Sequence, residues 1–140
     1  MTEPLAQAMV ICDAIHRDSS TGKFFLLGTF SNIVVRELPA VHQKLSIFIS
    51  LTDCRGKTRL RIKLVKVDHE AGDDKVIFTV DATLESRDPL QVHEIALDAN
   101  GIEFAEEGEY RFILEAGGTL LLEKRIVVSR RQQSKDDSNG

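Results

Sequence analysis

The residues of this chain that come closest to a chemical site are four carboxylates in one short loop. Asp68, Glu70, Asp73 and Asp74 lie together within residues 68–74. Calcium takes about six to eight oxygen ligands, so a loop with four acids is a candidate calcium site. The spacing does not match the helical calcium loop, which needs acids at alternate positions and a terminal glutamate. A solvated hairpin loop has the same composition, and we expect neither a metal nor a cofactor here.

Nucleophilic catalysis requires a nucleophile, a base and a group that orients the base. The four histidines, His16, His42, His69 and His93, are scattered along the chain. No Gly-x-Ser-x-Gly elbow and no cysteine–histidine signature accompanies them. We therefore predict that the protein is not an enzyme, and a site assembled in space from distant residues stays as an alternative.

One run of basic residues is a candidate nucleic-acid surface. Its members are Arg55, Lys57, Arg59, Arg61, Lys63 and Lys66. A surface that binds single-stranded nucleic acid adds aromatic side chains on which bases stack, and this run contains none. The whole chain carries a formal net charge of −4, whereas nucleic-acid binders are typically basic. We expect a solvated strand face and no nucleic-acid partner.

The elements that carry these residues are β-strands, as the period of the apolar residues indicates. Alternation is clearest at Leu45 to Leu51, at Leu60 to Leu64 and at Tyr110 to Leu114. Eight strands are predicted, at about 8–16, 23–35, 44–52, 58–67, 75–85, 91–98, 108–116 and 119–129. Turn residues separate them, a pattern typical of a sandwich or barrel. The predicted fold is all-β: an antiparallel, immunoglobulin-like β-sandwich of two sheets and seven to eight strands.

Two hairpins allow the strand register to be predicted. Pairing Leu60 with Leu84 keeps apolar residues on one face and places Lys63 opposite Asp81 on the other.

In the last hairpin, a three-residue connection through Gly117, Gly118 and Thr119 sets Leu114 opposite Leu122 and Tyr110 opposite Ile126. Glycine supplies the left-handed residue that such a loop needs.

Several apolar residues exceed what one core requires. Residues 24–27 read Phe-Phe-Leu-Leu and are apolar on both faces, so another segment or another subunit must cover them. We predict a surface for a protein partner or for self-association, whose candidate residues are Phe25, Leu27, Phe48, Val65, Val67 and Ile77.

Three stretches resemble an uncharacterised bacterial family of short proteins, known only as a domain of unknown function. The first is Ile11-Cys12-Asp13-Ala14 with the Gly22-Lys23 turn and the strand that follows through Phe30. The second is residues 38–42 with the strand that ends at Leu51-Thr52-Asp53, and the third is residues 108–112 with the Gly118 hairpin. The resemblance covers roughly residues 8–128. It implies a sandwich, immunoglobulin-like in its closing hairpin, and a bacterial cytosolic setting, but no activity.

The sequence therefore predicts one β-sandwich domain over residues 1–128 and a disordered polar tail over 129–140. No segment approaches the ~20 apolar residues of a membrane span, and we expect a cytoplasmic protein. Its predicted function is a non-enzymatic protein-interaction or scaffold module. The alternative is a calcium- or lipid-dependent binding domain that uses the 68–74 loop. The two cysteines, Cys12 and Cys54, are not expected to form a disulfide.

Overall fold

A computed structural model describes residues 3–131, and within them the chain forms nine β-strands and no helix. The strands are β1 (Leu5–Arg17), β2 (Phe24–Thr29), β3 (Asn32–Val35), β4 (Ala40–Thr52), β5 (Gly56–Lys66), β6 (Lys75–Ser86), β7 (His93–Phe104), β8 (Gly108–Ala116) and β9 (Thr119–Arg130). Since the described part of the chain holds no helix, none there is long and apolar enough to cross a membrane.

The strands form two sheets packed face to face. The four-stranded sheet has the order β2-β1-β4-β7, and the five-stranded sheet has the order β3-β9-β8-β5-β6. All neighbours are antiparallel except β3 and β9, which run parallel. The core between the sheets contains the alternating residues predicted to point inward, and Leu45, Ile47, Leu60, Ile62, Phe112 and Leu114 are fully buried there. Each such side chain contributes about 1.5–3 kcal/mol by leaving water.

The connectivity is that of the predicted immunoglobulin-like sandwich. In the nomenclature of that fold, β1-β4-β7 follows the order A-B-E and β9-β8-β5 follows G-F-C, with β6 extending the second sheet. Near the start of β8, the Tyr110 hydroxyl donates a 2.6 Å hydrogen bond to the carbonyl of Glu106. This is the tyrosine corner found in immunoglobulin-like domains.

The structure corrects the predicted strand count from seven or eight to nine within the described residues. The segment predicted as one strand over 23–35 divides between the two sheets, with β2 in the first and β3 in the second. Phe30 still donates its amide to Ile11 in the first sheet, whereas Ser31 already accepts from Val127 in the second. The chain therefore crosses between the sheets at these two residues.

Of the two predicted registers, the β5–β6 register is wrong by two residues. Leu60 lies opposite Ala82, and Asp81 lies opposite Arg61 instead of Lys63. A two-residue slip leaves every side chain on its predicted face, so the alternation could not reveal it. A bulge at Leu64 and Val65 shifts the pairing near the loop.

The β8–β9 register is confirmed, with Leu114 opposite Leu122 and Tyr110 opposite Ile126. The connection differs from the prediction, because Ala116 already pairs with Thr119 and a bulge after Leu114 absorbs the extra residue.

The end of β9 lies beyond the predicted domain boundary at residue 128. Ser129 and Arg130 belong to this strand and pair with β3. The amide of Arg131 donates to the Val35 carbonyl, and the remaining residues of the predicted tail, 132–140, lie outside the described residues.

Candidate functional site

Two of the four acids of the 68–74 loop, Asp68 and Asp74, contact the loop's own backbone. The Asp68 carboxylate accepts hydrogen bonds from the amides of Ala71 (2.9 Å) and Glu70 (3.0 Å), and these bonds lower the pKa of Asp68. The Asp74 carboxylate accepts one from the Asp68 amide at 3.4 Å. Across residues 3–131, no three side chains of the types that bind metals converge, so Asp73 does not join Asp68, Glu70 and Asp74 in a metal site. The loop geometry is therefore that of a self-capped turn.

Glu109 is the centre of a charge network that was not predicted from the sequence. Its carboxylate accepts hydrogen bonds from Arg111 Nε (2.8 Å) and Arg125 Nε (3.2 Å), and His69 Nε2 lies 3.1 Å away. Arg111, and to a lesser degree Arg125 and His69, hold the pKa of Glu109 below its ordinary value. One signal for this network was present in the sequence. Arg111 lies directly opposite Arg125 in the confirmed register, and two like charges in that position destabilise a sheet unless a carboxylate lies near both.

The four histidines lie in separate surroundings. His16 packs near Phe25, His42 packs near Phe30, and His69 belongs to the Glu109 network. His93 faces the core, and its buried Nε2 has no hydrogen-bond partner among the described residues. The structure does not bring any of them into hydrogen-bond contact with a cysteine or serine side chain in the described part of the chain.

The hairpin of β1 and β2 folds back over the outer face of the four-stranded sheet. In the register, Phe48 lies opposite Val10, whereas Phe24 lies opposite Arg17. In a straight strand, Val10 and Arg17 would be roughly 23 Å apart. The rings of Phe24 and Phe48 are nevertheless 5.7 Å apart, and the Arg17 guanidinium lies 5.4 Å from the centre of the Phe24 ring. The hairpin must therefore bend.

The bend is located where Asp13 faces Gly28. Both positions fall between the paired residues Cys12–Thr29 and Ala14–Leu27. Gly28 has a φ of +71°, and a β-carbon there would overlap the Asp13 carboxylate. Glycine adopts this left-handed backbone without strain, and any larger residue would also force the Asp13 side chain to move.

The folded hairpin buries part of the sheet's outer face. Cys12 and Ser46 point outward from the core, yet both are fully buried, and Phe48 is 9% exposed. Burial raises the pKa of the Cys12 thiol. Cys54 is also buried, and both cysteines are free thiols.

The predicted interface residues are thus separated into two groups. Phe48, Val65 and Val67 are buried within the chain, and Ile77 is half-buried against the core, so these four do not form an exposed surface. Phe25 and Leu27 remain 51% and 52% exposed.

The exposed pair lies on the side of the hairpin that faces away from the sheet. His16 and Ala14, which lie opposite Phe25 and Leu27, share that side. We call these four residues the hairpin surface. They border the free edge of β2, which within the described residues pairs with β1 alone.

The sequence model of a family described as "Family of unknown function (DUF6941)" matches residues 7–129 of this chain. No curated protein matches.

Among solved structures, an immunoglobulin-like protein from Pseudomonas aeruginosa is 21% identical, with a TM-score of 0.46 over 91% of this chain and 97% of that one. A β-glucosidase from Listeria innocua is 8% identical, with a TM-score of 0.48 over 91% of this chain. A β-glucosidase from Kluyveromyces marxianus is 13% identical, with a TM-score of 0.44 over 74% of this chain. This chain spans 16% and 15% of the two glucosidases.

Proposed function

We propose that this chain, which belongs to the DUF6941 family of unknown function, is a non-enzymatic protein-interaction module that binds its partner through the hairpin surface. The partner is another protein or a second copy of the chain. The observation that carries the proposal is the composition of β2, an edge strand of six residues without a charge or a proline.

Edge strands of soluble proteins are normally protected against pairing by charges, by proline or by shortness. The other three edge strands of this sandwich follow that rule. Strand β6 carries Lys75, Asp81 and Glu85, strand β7 carries Glu94, Asp98 and Glu103, and β3 has four residues. Strand β2 lacks each of these protections, and it adds the exposed side chains of Phe25 and Leu27.

An edge of this kind can bind a partner in two ways at once. Its free backbone amides and carbonyls can pair with an incoming strand, while alternate side chains contribute apolar area. Each Å² of apolar surface that leaves water contributes about 25 cal/mol. A partner strand beside β2 would form these hydrogen bonds and also bury apolar area, because Phe25 and Leu27 lie on one side of the strand.

A cytoplasmic, bacterial setting is part of the proposal. Two buried cysteines that remain free thiols support the cytoplasmic part, since an oxidising compartment favours disulfides.

The proposal is tested with a double variant, Phe25→Ser with Leu27→Ser. The matched control is Val76→Ser with Leu90→Ser, whose parent side chains are 49% and 84% exposed elsewhere. Tagged chains are expressed in a bacterial host, and bound proteins are quantified by mass spectrometry, while sedimentation velocity measures self-association. We expect a partner or a self-complex that the wild type and the control retain and the hairpin variant loses. Equal binding by all three chains would overturn the proposal.

A further inference from the structure

A groove on the five-stranded sheet is lined mainly by charged and polar side chains, whereas the hairpin surface is mainly apolar. It opens on the outer face of the five-stranded sheet and has a volume of about 430 Å³. Its lining residues include Lys57, Arg59, Arg61, Asp81, Thr83 and Glu115. The volume lies within the range of roughly 300–1,000 Å³ that is usual for small-ligand sites.

The rim of the groove at the β8–β9 turn is bare backbone. Gly117 and Gly118 have φ angles of +56° and +86°, and a β-carbon on either would meet nothing within 4 Å. The turn therefore leaves the mouth of the groove open beside Arg59, whose carbonyl accepts a hydrogen bond from the Gly117 amide.

The two carboxylates of the groove are already neutralised. Arg61 binds Asp81 through two nitrogens, at 2.8 Å and 3.2 Å. Glu115 forms an ion pair with Lys63 at 3.1 Å.

The side chains of Lys57 and Arg59 have no hydrogen bond, ion pair or ring contact with any described residue. Thr83 lies opposite Arg59, and Glu85 lies opposite Lys57 without forming an ion pair. Because they are two residues apart on β5, both cations emerge on the same face of the sheet, roughly 7 Å apart. The groove thus contains two cations that form no ion pair, next to a hydroxyl.

We infer that this groove binds a small phosphate monoester. A phosphoryl group carries a charge of about −1.5 to −2 at pH 7. This charge matches two cations better than the single negative charge of a carboxylate. The Arg59 guanidinium can bind two phosphoryl oxygens through its planar fork, and Lys57 and the Thr83 hydroxyl supply donors for the remaining oxygen. The groove shares no residue with the hairpin surface, so the two proposals are tested independently of each other.

Phenyl phosphate and benzoate are the probes for a ¹H–¹⁵N NMR titration at constant ionic strength. We expect saturable shifts at the amides of residues 57–61, 83 and 117–118 with phenyl phosphate, and at least about tenfold weaker binding of benzoate. Binding of phenyl phosphate should strengthen severalfold from pH 5.5 to pH 7.5, as the ligand loses its second proton with a pKa near 6.

Arg59→Gln should weaken phenyl phosphate binding about tenfold or more. Arg36→Gln removes the same charge from an exposed side chain on the segment after β3 and should have no effect. Since Arg59 is exposed and makes no side-chain contact, its variant should stay folded, and the NMR spectrum reports this directly. Shifts that do not saturate, equal binding by Arg59→Gln, or equal affinity for benzoate would each overturn the inference.

Discussion

The rings of Phe24 and Phe48 lie 5.7 Å apart, although the strand residues opposite them, Arg17 and Val10, are seven positions apart on β1. This contact joins the far end of the β1–β2 hairpin to the outer face of its own sheet. It gives the hairpin a packed side, and it leaves Phe25 and Leu27 on the other side.

The contact between Phe24 and Phe48 should appear as a coupling energy. We expect Phe24→Leu and Phe48→Leu to be non-additive by about 0.5–1.5 kcal/mol in urea unfolding, since paired rings contribute this much beyond their area. Phe25→Leu is the matched control, because the Phe25 ring points away from the sheet, and it should combine additively with Phe48→Leu. Additivity of the first pair would show that the hairpin is not held by this contact.

Loosening the hairpin should expose Cys12. In a Cys54→Ala background, Cys12 should react slowly with a thiol reagent, because burial both blocks access and raises the pKa of its thiol. Phe24→Ala should speed the reaction severalfold, measured by absorbance at pH 8. The same substitution in a Cys12→Ala background should leave the labelling rate of Cys54 unchanged, and equal acceleration of both thiols would instead indicate global unfolding.

Gly28→Ala should destabilise the fold by more than its backbone angle explains. Gly72 has a φ of +75°, close to the +71° of Gly28, but a β-carbon there meets nothing within 4 Å. We expect Gly72→Ala to cost about 1–2 kcal/mol in the free energy of unfolding, and Gly28→Ala up to about 1 kcal/mol more, because the exposed Asp13 side chain must move aside. Adding Asp13→Ala should recover much of that excess. Equal losses at both glycines would show that the approach of the Asp13 side chain does not constrain residue 28.

Tyr110→Phe should lower the free energy of unfolding by about 1–3 kcal/mol, because it leaves the Glu106 carbonyl without its donor. Burial raises the pKa of Tyr110, so the hydroxyl remains a donor throughout the neutral and mildly alkaline range. Circular dichroism is the appropriate probe, since the chain has one tyrosine and no tryptophan. A stability equal to that of the wild type would mean that the tyrosine corner does not stabilise this sandwich.

The Glu109 network should make stability depend on pH in the acid range. The pKa of Glu109 is lowered in the folded chain, chiefly by its hydrogen bond from Arg111. Its stabilising effect is therefore complete above the ordinary glutamate pKa of about 4.3 and is lost as the pH falls through the lower folded value.

Glu109→Gln should consequently be less stable than the wild type at pH 7, and the two melting temperatures should converge as the pH falls below about 4. Glu70→Gln, which removes a carboxylate outside the network, is the control. A difference that persists unchanged into strong acid would assign the effect to packing instead of charge.

The fold was predictable because its strands obey a local rule. Leu45 to Leu51 and Leu60 to Leu64 alternate, and alternation identifies a half-buried strand without knowledge of its neighbours. The crossing at Phe30 and Ser31 was not predictable, because Gly28 beside it is equally consistent with a bulge inside one continuous strand.

The candidate site was predictable only in part, because it depends on contacts between distant residues. Phe25 and Leu27 were identified as surplus apolar residues, but Phe48 was grouped with them. Its burial requires the bend at Asp13 and Gly28, which no spacing reveals. The groove was not predictable for a similar reason. The register of β5 with β6 and β8 decides which cations form no ion pair, and the predicted β5–β6 register was wrong by two residues.

The parallel pairing of β3 with β9 has a consequence for synthesis on the ribosome. Asn32 pairs with Val127, and the amide of Val127 donates a hydrogen bond to the carbonyl of Ser31. Within the described sheets β3 pairs with β9 alone, so it has no strand partner until β9 has left the exit tunnel. The nascent chain can form the β1–β2 hairpin and the pairing of β1 with β4 early, but the second sheet closes only after β9 has been translated.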